Sequence, residues 1–267
     1  MMDNVHKKLL NYGKLARQAA PALAIATTRQ KNDALNAIAQ AIKENFATIL
    51  EANAIDTEAA RGKGLSAALQ ERLKLDPSRL EAIVASVEQI ATLKDPVGEV
   101  MTQWVRPNGL KIARIRKPIG VIGVIYESRP NVTIDAAALC LKSANPVILR
   151  GGSDAYHSCL ALYKALQQGL NKAGLPLACV QYVETQDREA VGYMLEGLAG
   201  QLDVLIPRGG KSLVARIEKE ARVPIFSHLE GVCHGYLDAS ADLKMAEKIA
   251  VNSKMRRPAI CGAMETL

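Results

Sequence analysis

Gly120-Val121-Ile122-Gly123-Val124-Ile125-Tyr126 is a short, unbroken apolar run without polar alternation. A strand of this kind is buried on both faces, the condition of a parallel sheet covered by helices. Three further runs read the same way, over 146–150, 179–183 and 203–206. Helical patterns separate them over 132–143, 154–173 and 187–198. Strict alternation of strand and helix predicts an α/β fold, a parallel sheet joined by right-handed crossovers. A further strand over 233–237 is expected to lead into a helix over 243–252.

Outward from this stretch toward the N-terminus, residues 3–93 are rich in Ala, Leu, Lys, Glu and Gln. Leu35, Ile38, Ala39, Ile42, Phe46 and Ile49 follow a helical period. Breaks fall at Arg61-Gly62-Lys63-Gly64 and at Asp76-Pro77-Ser78, where Asp76 can cap a helix whose first turn tolerates Pro77. These helices read as scaffold and not as chemistry. Between them and the alternating region, residues 104–107 and 110–116 alternate apolar and polar side chains around Asn108-Gly109, a pair suited to a two-residue turn with positive φ. A β-hairpin over 104–116, solvated on one face, is expected. Its edge can pair with another subunit, or its charged residues can prevent such pairing.

The 267 residues are 49% hydrophobic and 23% charged, which excludes disorder and fibrous repeats. No run of eighteen apolar residues occurs, and the first residues do not resemble a secretory leader, so no membrane span and a cytoplasmic location are expected. The five cysteines at 140, 159, 179, 233 and 261 contain no C-x-x-C pair, against a zinc ribbon or a disulfide scaffold. His228 and His234 are too sparse for a metal site. A net charge of +7 suits an anionic small molecule or a nucleic acid, and equally an ordinary solvated surface. Aromatic residues make up 4% of the chain, too few for a stacking platform, and no basic helix or zinc spacing supports nucleic-acid binding.

No G-x-G-x-x-G follows the first strand, so the usual dinucleotide fingerprint fails. Arg150-Gly151-Gly152-Ser153-Asp154 ends one strand just before a helix. There, backbone N–H groups and a cation can meet a phosphate, or Ser153 or Asp154 can simply cap the helix. Gly209-Gly210-Lys211-Ser212 has the end of a phosphate-cradling loop but Leu205 where that pattern needs glycine, which disfavours a nucleotide triphosphatase. A glycine turn there can still approach a pyrophosphate. Lys254, Arg256 and Arg257 precede Cys261, and positive neighbours favour a nucleophilic thiolate, although isolated cysteines are usually inert core residues. Cys140 and Cys159 sit on apolar helix faces.

Four segments combine into a recognisable set: Lys117 through Val132 with its Glu127-Ser128-Arg129-Pro130-Asn131, Val147 through Gly152, Ile206 through Gly210, and Ala259 through Leu267. Together they closely resemble the γ-glutamyl phosphate reductases, the proline-biosynthesis branch of the aldehyde dehydrogenase superfamily. The resemblance implies an aldehyde dehydrogenase-like α/β fold with a Rossmann-type parallel sheet, N-terminal helices and a β-hairpin. Residues 1–226 would form an NADP-binding domain, and 227–267 the start of a second α/β catalytic domain. Members of this family are longer, so a C-terminally truncated reductase is expected. Gly262 and Met255 stand where the family has Asn and Thr.

The resemblance further implies NADPH-dependent reduction of L-glutamate 5-phosphate to L-glutamate 5-semialdehyde with release of phosphate. Cys261 matches the nucleophile, and Asn131 the asparagine of the oxyanion hole. Arg150 would face the adenosine ribose or 2′-phosphate of NADPH, with Gly209 and Gly210 near the pyrophosphate. Ser128, Arg129, Lys254 and Arg257 are candidates for the substrate's carboxylate or phosphate, or for capping the sheet surface. His228 stands where hydrolytic relatives keep a water-activating glutamate, unless Glu230 is the equivalent. A homo-oligomer, with channelling of substrate from glutamate 5-kinase, is implied for the full-length form. An inactive fragment or cofactor-binding remnant is the alternative.

Overall fold

The structure, a computed structural model, describes residues 4–227, 231–256, 258 and 260–267. Five helices come first: α1 (Asn4–Ala24), α2 (Thr28–Glu44), α3 (Phe46–Gly62), α4 (Ala67–Leu73) and α5 (Pro77–Thr92). The apolar period read across residues 35–49 belongs to two helices, because Asn45 ends α2 by donating its N–H back to Ile42 and Lys43. Thr27 and Gln30 form a reciprocal capping box at the start of α2. Asp76 caps α5 as expected, accepting from the Arg79 N–H at 2.9 Å ahead of Pro77.

The hairpin pairs β1 (Val100–Val105) with β2 (Lys111–Ile115) in antiparallel register. It departs from the sequence reading in two ways. Its closing turn is longer than two residues: Arg106 and Leu110 bond across it at 2.9 Å, and of its residues Gly109 takes positive φ while Asn108 does not. Pro107 has no N–H to donate to Leu110 across a two-residue turn, which disfavours the tighter form. Both faces are also exposed, because no described helix or sheet covers either side, leaving Val100, Met101, Trp104, Val105 and Ile115 in the open.

Next follow β3 (Ile122–Tyr126), α6 (Asn131–Lys142), β4 (Val147–Arg150), α7 (Tyr156–Lys172), β5 (Val180–Tyr182), α8 (Glu189–Leu195), β6 (Val204–Arg208) and α9 (Lys211–Glu220). The four strands form one parallel sheet in the order β5-β4-β3-β6. Every residue of β3, β4 and β5 is buried, the polar Arg150 and Gln181 included. Alternate side chains serve two cores. Ile122, Val124, Tyr126, Leu149 and Tyr182 pack toward α2, α5, α6 and α7, while Val121, Ile125, Ile148 and Leu205 pack toward α1, α8 and α9. The result is three layers, helix on sheet on helix.

Neither Ser153 nor Asp154 caps α7. The buried carboxylate of Asp56, on α3, instead accepts from the Ser158 N–H at 2.7 Å, the Ser158 hydroxyl at 2.6 Å and the His157 N–H at 3.2 Å. An acceptor from a neighbouring helix thus satisfies the orphan donors of the first turn.

Helices α2 and α7 cross so closely that a Cβ on Gly169 would lie 2.5 Å from the Ile38 Cα and 2.6 Å from its nitrogen. Backbone cannot yield as a side chain can. Gly169→Ala should therefore destabilise the chain by about 1–3 kcal/mol despite alanine's better helix propensity. A urea midpoint equal to that of the parent would contradict this packing.

Beyond the sheet, β7 (Cys233–His234) pairs in parallel with β8 (Met264–Thr266), and α10 (Leu243–Met255) lies between them in sequence. The strand expected over 233–237 is thus shortened to two residues. No described helix is long and apolar enough to cross a membrane.

Candidate active site

The order β5-β4-β3-β6 reverses direction at β3, whose neighbours β4 and β6 leave on opposite sides. Open parallel sheets bind ligands outside the carboxyl ends of the strands at such a reversal. Here the ends of β3 and β6 carry Glu127, Ser128 and Arg129 on one side and Arg208, Gly209 and Gly210 on the other. They line a crevice of about 50 Å³ together with Leu69 and Arg72 of α4. Ser128 is buried and held at φ +27°, a region sparsely used by residues with a side chain.

Gly209 and Gly210 form the entry to α9 in the crevice, as the glycine turn suggested. The Gly210 N–H donates to the Glu127 carboxylate at 2.7 Å, and a Cβ on Gly209 would meet that carboxylate at 2.7 Å. An internal anion therefore already sits at this helix N-terminus. Glu127 thus fills the space over the glycine turn and takes the Gly210 N–H, while Arg72, Arg129 and Arg208 leave a cationic rim that fits a phosphate group.

A second cavity, of about 780 Å³, opens beside the first. Its wall includes Arg72, Arg129, Asn131, Asp135, Ser86, Pro258 and Ile260. Cys261 follows Ile260 and is exposed. Arg129 is close enough to feel it: burial and repulsion from Arg208 and Arg72 hold the Arg129 guanidinium below its ordinary value, and the Cys261 charge works against them. The Cys261 carbonyl accepts from the Cys233 thiol at 3.4 Å, and Gly231 packs so closely on that carbonyl that no Cβ fits there. Cys140, Cys159 and Cys179 are buried thiols pushed up by burial to about 12, 11 and 12, and so are poor nucleophiles.

The other sequence-predicted residues fall as follows. Asn131 opens α6, its amide donating to Asp135 at 2.9 Å. Burial raises the Asp135 pKa, against hydrogen bonds from Asn131 and Ser86. One amide hydrogen of Asn131 is thus committed, and the other has no partner among the described residues. Arg150 is buried and donates to the carbonyls of Gly151, Gln186 and Asp187, so its guanidinium braces the loop before α8. Its Nε has no partner among the described residues. Lys254 pairs with Glu265 at 2.9 Å, tying α10 to β8. Arg257, His228 and Glu230 lie outside the described residues.

Sequence reasoning missed Arg72, Glu127 and Arg208 as lining residues. Arg208 stands within the Pro207-Arg208-Gly209-Gly210 stretch, where a cation beside a glycine turn was a usable signal. Nothing local marked Arg72, which arrives from a helix read as scaffold. Among the described residues no cluster of three or more His, Cys, Asp or Glu could hold a metal.

The aldehyde dehydrogenase family model matches residues 7–260. The gamma-glutamyl phosphate reductase of Brucella suis is 58% identical over 100% of this chain and 63% of its own length. The crystal structure of gamma-glutamyl phosphate reductase from Thermotoga maritima aligns with a TM-score of 0.89 and 45% identity, covering 96% of this chain and 62% of that one. The corresponding structure from Saccharomyces cerevisiae gives 0.77 and 32%, covering 100% and 66%. The chain thus spans under two thirds of the length of these relatives. With a family model matched along nearly all of it and the expected parallel sheet in place, the chain belongs to the aldehyde dehydrogenase family.

Proposed function

We propose that this chain carries the cofactor crevice and the nucleophile of a reductase that converts L-glutamate 5-phosphate, with NADPH, into L-glutamate 5-semialdehyde and inorganic phosphate. The identity of 58% along the whole chain to a protein bearing that reductase name carries the reading. The exposed Cys261, beside a cavity rimmed by arginine, supports it.

In this reading the Cys261 sulfur attacks the acyl carbon, the bond from that carbon to the phosphate oxygen breaks, and a thioester remains. When bound, the reduced nicotinamide supplies a hydride. The sulfur then leaves as the aldehyde forms, which returns the free thiol. Negative charge gathers twice on the carbonyl oxygen, and the uncommitted amide hydrogen of Asn131 suits the role of its donor. Loss of one such donor typically costs about 3–4 kcal/mol in acyl-transfer enzymes. Arg129 holds positive charge beside the reacting carbon and its leaving group. Gly209 and Gly210 are assigned to the dinucleotide, with Arg150 bracing the loop before α8 and not reaching the ligand, and Ser128, Lys254 and Arg257 are assigned to the anionic ends of the substrate. The protein works in the cytoplasm as part of a homo-oligomer, a reading the exposed apolar side chains of the hairpin support. In this assignment residues 1–226 serve the cofactor, and 227–267 begin the catalytic unit.

The test runs the reaction backwards, following NADP⁺ reduction by glutamate 5-semialdehyde with inorganic phosphate, beside a fluorescence titration with NADPH. Phosphate-dependent turnover is the expected result. NADPH binding without turnover would support a cofactor-binding remnant instead, and neither binding nor turnover would overturn both.

A further inference from the structure

Some arginines of the chain are neutralised by carboxylates, Arg17 by Asp203 at 2.8 Å, Arg116 by Glu99 at 2.9 Å and Arg79 by Glu71, and others, such as Arg106 and Arg114 of the hairpin, stand alone on the surface among the described residues. Arg72, Arg129 and Arg208 differ from both in being unpaired and gathered at one place. They come from α4, from the turn after β3 and from the end of β6, and converge on the crevice at the sheet's reversal point. Among the described residues none of the three is within ion-pair reach of a carboxylate. Glu127, the carboxylate lining the same crevice, is turned to the Gly210 N–H. Three guanidiniums brought together without a counter-charge repel one another, which the lowered value of Arg129 reflects after its burial. A chain that holds such a cluster open gains stability when an anion of matching charge enters.

We propose that Arg72, Arg129 and Arg208 form one seat for a phosphoryl anion, reached through the larger cavity that Arg72 and Arg129 also line. Guanidinium forks suit the oxygens of a tetrahedral phosphate, and contributions from separate elements can grip several oxygens at once. Against the three positive charges Glu127 leaves a net charge of +2, which matches a phosphate dianion. The assignment deepens the reductase reading and rests on it for the source of the phosphoryl group. That source is either the phosphate released from the substrate or the pyrophosphate of the dinucleotide. It also gives α4, and with it the N-terminal helical layer, a part in binding.

The experiment titrates the chain with inorganic phosphate and separately with NADPH, at constant ionic strength set by chloride, for the parent and for Arg72→Gln, Arg208→Gln and Arg106→Gln. Arg106 lies in the exposed hairpin and serves as the charge control. Thermal melts confirm that each variant folds. The expected result is phosphate binding weakened about tenfold by each of Arg72→Gln and Arg208→Gln and unchanged by Arg106→Gln. Weakening confined to NADPH would support the seat and assign it to the pyrophosphate. No binding of either ligand to the parent, or equal affinities in parent and crevice variants, would overturn the seat. The reductase reading is scored separately by turnover: active chain with unaltered binding in the variants loses the seat alone, whereas weakened phosphate binding without turnover retains the seat and loses the reductase.

Discussion

Cys261→Ala should abolish phosphate-dependent turnover while leaving NADPH binding and the melting temperature close to those of the parent. The size of the loss follows from the role. Removing a covalent nucleophile from a working set of groups costs on the order of 10⁶-fold in kcat elsewhere, because the remaining groups have nothing to act with. The side chain is exposed, and its main-chain carbonyl, which survives the substitution, makes the contact with the Cys233 thiol. Little packing is therefore lost. Cys233→Ala is the companion variant: it removes a neighbouring thiol without removing the attacking sulfur, and should retain turnover. Full activity in Cys261→Ala, or equal losses in both variants, would contradict the assignment of the nucleophile.

The largest expected effect on stability is Asp95→Ala. Lys31, on α2, is 1% exposed, with its ammonium 2.7 Å from Asp95 Oδ2 and 2.8 Å from Oδ1. Asp95 also accepts from the Thr28 hydroxyl at 2.7 Å and the Val97 N–H at 3.0 Å. A second buried ammonium, Lys142, is held by Asn32 and the Ala91 carbonyl, lowered by its own burial and favoured by the Asp95 charge. Deleting the carboxylate leaves buried positive charge uncompensated, at a cost of about 3–5 kcal/mol. That is a large fraction of the 5–15 kcal/mol, roughly, available to a folded domain.

Asp95 also sets a pH dependence. Burial alone would raise its pKa, but hydrogen bonds from Lys31, Thr28 and the Val97 N–H outweigh it and hold the folded-state value below the ordinary one. A depressed carboxylate contributes its full stability above the unfolded value near about 4, and loses it as pH falls through the folded value. Urea midpoints measured from neutral pH downward should fall less steeply in Asp95→Asn than in the parent. Parallel curves would show that this carboxylate does not govern the acid limb.

The sheet was legible because burial on both faces leaves no choice of residue. Residues 122–126, 147–149, 180 and 182 had to be free of charge and are buried apolar or glycine, while the buried polar exceptions, Arg150 and Gln181, meet backbone carbonyls. The Asp76-Pro77 helix start was equally plain, since its signal is local. What escaped the sequence is what distant segments supply. Asp56 caps α7 from α3, and no residue beside α7 announces it. The hairpin's alternation implied one covered face, but alternation does not say whether anything in this chain covers it. Arg150 ends its strand as expected, yet its guanidinium turns inward to the carbonyls of residues 186 and 187. Arg72 joins the crevice through the packing of α4. In the candidate site the identity of Cys261 was carried by family likeness, whereas its setting beside Arg129 became visible through the fold.

The central claim is that one sulfur, at position 261, takes up the glutamyl group before any reduction occurs. Mass spectrometry of the protein mixed with L-glutamate 5-phosphate in the absence of NADPH, quenched in acid and digested, tests it most directly. The account predicts an acyl adduct confined to the peptide containing Cys261, removed by hydroxylamine and absent from Cys261→Ala. Phosphate release with no adduct, or an adduct on another cysteine, would contradict it.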